Sequence, residues 1–91
     1  MKTYIFSYNN HYEITNDDLD SLLKEIFTTI GDFKKNMDFS FFISSNKNAQ
    51  YIADIIINKI PHLRFFITEI GNNRQGWLPK ETWIFIKENS E

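Results

Sequence analysis

Amide, imidazole and phenol groups fall side by side at Asn9-Asn10-His11-Tyr12. An imidazole there could serve as a general acid or base near neutral pH. The commoner meaning of Asn-Asn-His is turn chemistry, because Asn tolerates left-handed backbone conformations. Asp17, Asp18 and Asp20 form the densest group of carboxylates. On a helix, positions two apart diverge by about 200°, so Asp18 and Asp20 cannot converge on one ion. Their charges fit the positive end of a helix instead. Trp77 and Trp83 flank Leu78-Pro79 and could make a stacking platform for bases or a ligand. The alternative is that they clamp the terminal segment onto a sheet or a partner subunit. Arg74 sits in a Gly- and Asn-rich stretch and could meet phosphate, although such arginines are usually solvated. His62, after Pro61, is expected to face solvent.

Other chemistries lack their residues. The chain has no Cys, which excludes a thiolate nucleophile, a disulfide framework and a thiolate zinc site. No phosphate-cradling Gly motif, His-x-x-x-His pair or nucleophile elbow occurs. Neither a metal nor a cofactor is expected. Ten basic and twelve acidic residues give a formal charge of −2, and Lys34-Lys35 is the only adjacent basic pair. Extensive nucleic-acid binding needs bases gathered on one surface, so this balance argues against it. No apolar run reaches the roughly 20 residues that span a bilayer, so no membrane association is expected and the cytoplasm is the expected location.

The elements that must position these groups can be read from periodicity. Residues 2–8 read as a strand. Thr15 can cap a helix whose Leu19, Leu22, Leu23, Ile26, Phe27 and Ile30 follow helical spacing, with Gly31 as its stop. Residues 33–37 and 39–44 read as a hairpin turning near Asn36 to Asp38, or as one long bent strand. Ser44-Ser45-Asn46 is positioned to cap a second helix carrying Ala49, Ile52, Ala53, Ile56 and Ile60, which Pro61 ends. Residues 63–70 read as a strand and 71–76 as a loop. Residues 79–88 are contested, since Thr82 to Ile86 favour a strand. Pro79 and Glu81 suit the start of a helix, which places Trp83 and Ile86 on one face. A short helix is expected there.

The 91 residues then form one domain, residues 1–91, of α+β class. The element order is that of a ferredoxin-like βαββαβ antiparallel sheet with two helices on one face, plus a short C-terminal helix. Of the nine Phe, four Tyr and two Trp, most fall in the strand-like runs, with bulky groups on both sides of the pleat. With helices on one face only, the other face would be left open and would seek a companion. The expected role is a non-enzymatic homodimeric binding or regulatory module, with Tyr4, Phe6, Tyr8, Trp77 and Trp83 as its candidate interface. Asn9, Asn10 and His11 form the candidate loop site.

Two stretches, Tyr4-Ile5-Phe6-Ser7-Tyr8-Asn9 and Gly76-Trp77-Leu78-Pro79-Lys80-Glu81-Thr82-Trp83, resemble a family of small bacterial proteins known as SinR-like. That family is similar to the ferredoxin-like nucleases of CRISPR adaptation and to virulence-associated toxins of the same fold. The resemblance implies a homodimer. It also implies a metal-dependent nuclease alternative, in which an Asp ends the first strand. The matching position here is Asn9, a neutral amide and a weaker ligand for a hard cation. A further alternative is a phage or mobile-element inhibitor that binds a host protein.

Overall fold

Alternation along one central strand sets the layers of this molecule. The computed structural model describes residues 1–11 and 14–89, so Tyr12 of the candidate loop lies outside the described residues. Its elements are β1 (Lys2–Asn9), α1 (Asn16–Thr28), β2 (Gly31–Met37), β3 (Ser40–Ser45), α2 (Ala49–Lys59), β4 (Arg64–Glu69) and α3 (Lys80–Asn89). The architecture is α+β. Four strands make one sheet in the order β2-β3-β1-β4, and every neighbouring pair is antiparallel. No helix among the described residues is long and apolar enough to cross a membrane.

Side chains of β1 alternate between two different environments. Tyr4, Phe6 and Tyr8 join Phe41 and Ile43 of β3 in a core with Leu19, Leu23 and Phe27 of α1 and Ile52 and Ile56 of α2. The Phe6 ring meets Phe27 edge-on at 5.1 Å and stacks on Phe65 at 5.3 Å. Each fully buried Phe of this kind contributes roughly 1.5–3 kcal/mol relative to exposure. Thr3, Ile5 and Ser7 point the opposite way, in register with Ser44, Phe42 and Ser40 of β3.

That second face is not left open. α3 packs over β1, β2 and β3 and buries Thr82 and Ile86 against it. The expectation of an uncovered sheet face is therefore corrected, because the chain supplies the cover itself. Pro79 opens α3, its carbonyl accepting from the N–H groups of Thr82 and Trp83. The helical reading of this segment holds over a strand. Much of the docking is polar: Asn36 donates to Thr82 Oγ1, and Ser44 Oγ donates to Asn89 Oδ1 at 2.9 Å.

Two local readings also change. Thr15 caps α1 as expected, accepting from Asp18 N–H at 3.0 Å, but the helix closes at Thr29 rather than at Gly31. Gly31 begins β2, where an added Cβ would sit 1.9 Å from the Ser44 carbonyl oxygen. Its value is close strand approach, not a left-handed stop. Asn48, not the Ser44 to Asn46 stretch, caps α2 by accepting from Tyr51 N–H, because Ser44 and Ser45 are still in β3.

Gly31→Ala should cost about 3 kcal/mol in urea unfolding, since the clash is with backbone. Gly71→Ala, with nothing within 4 Å, should stay within about 0.5 kcal/mol of the parent. Thr3 Oγ1 is buried beneath the sheet's second cover without a hydrogen-bond partner among the described residues. Thr3→Val removes that orphan at nearly constant volume and should raise stability by about 1 kcal/mol, measured the same way.

Candidate functional site

A groove runs between α3, the segment 71–78 and the sheet. Ile5 and Phe42 belong to its sheet side, and Ile70, Trp77, Leu78, Trp83 and Ile86 complete an apolar cavity of about 260 Å³. It continues into a polar mouth formed by Asn72, Arg74, Gln75, Gly76 and Lys87 with Trp83. The loop that makes the mouth is stapled to itself. Arg74 N–H donates to the Asn72 carbonyl at 3.0 Å, and Arg74 Nη1 donates to the Gly71 carbonyl at 2.7 Å. Trp83 is half-buried at the cavity, whereas Trp77 is 90% exposed while still lining it. Trp77 therefore does not clamp the terminal segment onto the chain's own sheet.

The expected interface residues divide. Tyr4, Phe6 and Tyr8 are only 2, 0 and 8% exposed. They lie in the chain's own core and cannot form a contact surface, because their parity on β1 points them at α1 and α2. Trp77 and Trp83 come together at the groove. Phe66 of β4, which the sequence reading did not single out, is 66% exposed.

The described residues of the loop after β1 are held by side-chain hydrogen bonds. Asn10 Nδ2 donates to the Ile14 carbonyl at 3.1 Å and to Asn16 Oδ1 at 2.7 Å, tying the loop to the start of α1. His11 Nδ1 lies 3.3 Å from the Asn9 carbonyl oxygen, and both residues are exposed. Asn9 closes the register of β1 with β4, opposite Arg64. Among the described residues no group of three or more His, Cys, Asp or Glu is placed to hold a metal ion.

Asp20 turns away from the other carboxylates and toward β2. It pairs with Lys35 at 2.5 Å and with Lys24 at 2.9 Å, while Lys35 Nζ also donates to Tyr8 Oη at 3.1 Å. The Lys35 ammonium lies 4.9 Å from the Phe41 ring centroid, which anchors it over the edge of the core. Burial works against the Asp20 carboxylate, yet the hydrogen bonds from Lys35 and Lys24 outweigh it and hold this carboxyl below its usual range. Burial likewise works against charge on Lys35, and its bonds to Asp20 and Tyr8 outweigh that and raise it. No protein-family model, curated protein or solved structure matches this chain.

These shifts fix a pH profile. A depressed carboxyl stabilises the fold above its unfolded value of 3.8 and loses that contribution as pH falls through the lower folded value. A raised ammonium stabilises below 10.5 and loses its contribution as pH rises through the higher folded value. Asp20→Asn should cost about 1 kcal/mol at neutral pH, discounted for partial solvent exposure. In urea unfolding at several pH values, the gap from the parent should close below pH 3.8. A gap that persists into strong acid would contradict the assignment.

Proposed function

We propose that this chain is a non-catalytic cytoplasmic binding module that works as a homodimer joined along the outer edge of β4. Its sheet is taken as the split βαβ, ferredoxin-like arrangement. That reading is supported by β3 lying between β1 and β2, and β1 between β3 and β4. Kinship with the SinR-like family belongs to the same proposal and rests on the two stretches quoted above.

The contrast between the two sheet edges carries the dimer. β2 bears Lys34 and Lys35 and a register irregularity between Lys34 and Met37. Lysines and bulges are the devices that deter edge pairing. β4 has neither. Its six residues run in unbroken register with β1, and its centre reads Phe65-Phe66-Ile67. Ile70 N–H donates to the Thr3 carbonyl. By alternation, Phe65, Ile67 and Glu69 direct their backbone groups away from β1, toward the outer edge. A twofold axis perpendicular to the sheet can pair two such edges antiparallel, with Phe66 opposite its mate and one sheet running through both copies. This covers the exposed Phe66 ring.

Light scattering should find a dimer at roughly micromolar concentration. Phe66→Lys places a charge at the axis and should weaken association at least about 30-fold, the scale of a central contact worth 2 kcal/mol. Phe66 is 66% exposed in one copy, so the variant's circular dichroism should be unchanged, and its thermal midpoint should match the parent's at concentrations too low for the parent to dimerise. A parent chain that stays monomeric at several hundred micromolar would overturn the reading.

A further inference from the structure

We infer that the groove beside α3 is a binding site for a small aromatic acid, with the ring against Trp77 and the anionic head at Arg74. The cavity, about 260 Å³, lies at the small end for ligand sites, so the body is no larger than a fused bicyclic ring. Its lining is aromatic and aliphatic, and Trp77 leaves most of its indole in water beside it. A planar ligand would cover that indole by stacking.

Charge selects the head group. The chain as a whole is acidic, at −2, yet the cavity and its mouth include Arg74 and Lys87 and no Asp or Glu. No ion pair among the described residues involves either cation. Arg74 commits Nη1 to the Gly71 carbonyl, which fixes the guanidinium plane. Its remaining N–H donors match a carboxylate, which a planar fork recognises in two-point fashion. Asn72 and Gln75 add amide donors at the same mouth. The groove lies on the α3 side of the sheet, and the proposed dimer joint lies at the β4 edge. The two proposals can therefore fail separately.

The test is a proton–nitrogen NMR titration of the full chain with 2-naphthoate and, in parallel, uncharged 2-naphthalenemethanol. Naphthoate should shift the indole N–H signals of Trp77 and Trp83 saturably and bind about tenfold more tightly than the alcohol. Arg74→Gln should abolish that tenfold preference and leave alcohol binding unchanged. Trp77→Ala, at an exposed position, should leave the rest of the spectrum intact and weaken both compounds about tenfold. Phe66→Lys should alter neither affinity. Indole signals unmoved at millimolar naphthoate would overturn the inference, as would equal affinity for acid and alcohol.

Discussion

Everything in this molecule follows from a central strand whose two faces differ in kind. One side of β1 presents Tyr4, Phe6 and Tyr8, and the other presents Thr3, Ile5 and Ser7. Aromatic groups at every second position demand a deep apolar layer, which α1 and α2 supply with Leu and Ile. With Ile5 alone between the hydroxylated Thr3 and Ser7, the reverse of β1 cannot build a second layer of that depth. It accepts a lighter cover instead.

α3 is that cover, and its character explains the groove. It meets the sheet through Thr82, Asn89 and Ile86 rather than through a continuous apolar stripe. Such a helix docks where hydroxyl and amide partners are waiting, at Asn36 and Ser44. Between it and the segment 71–78 the larger groups Ile5 and Phe42 are left lining a cavity. The same economy leaves Phe66 of β4 in water. Both proposed surfaces are what remains when a three-turn helix shields a four-stranded sheet.

Much of this was legible in the residues. The helical spacing from Leu19 to Phe27 and the cap at Thr15 could be read directly, whereas the terminal helix after Pro79 competed with a strand reading of Thr82 to Ile86. The aromatics on both faces of the strands pointed to a second face in need of cover, which was expected from a companion chain and comes instead from α3. What could not be read was which element covers the second face, since that is a tertiary choice made through Asn36, Thr82, Ser44 and Asn89. For the same reason Tyr4, Phe6 and Tyr8 looked like an interface. Gly31 illustrates the limit well. A helix stop and a close strand crossing both call for glycine there, and only the proximity of Ser44 separates them. The pairing of Asp20 with Lys35 spans two elements and leaves no local trace.

The central claim is that α3 seats on the Thr3, Ile5 and Ser7 side of β1. Solution NMR tests it most directly, through proton contacts between the side chains of Thr82 and Asn36 and through amide exchange along residues 82–86. The account predicts a clear cross-peak for that pair and slow exchange at Thr82 and Ile86. Exchange at random-coil rates with no cross-peak would mean that the second face is bare, and would contradict it.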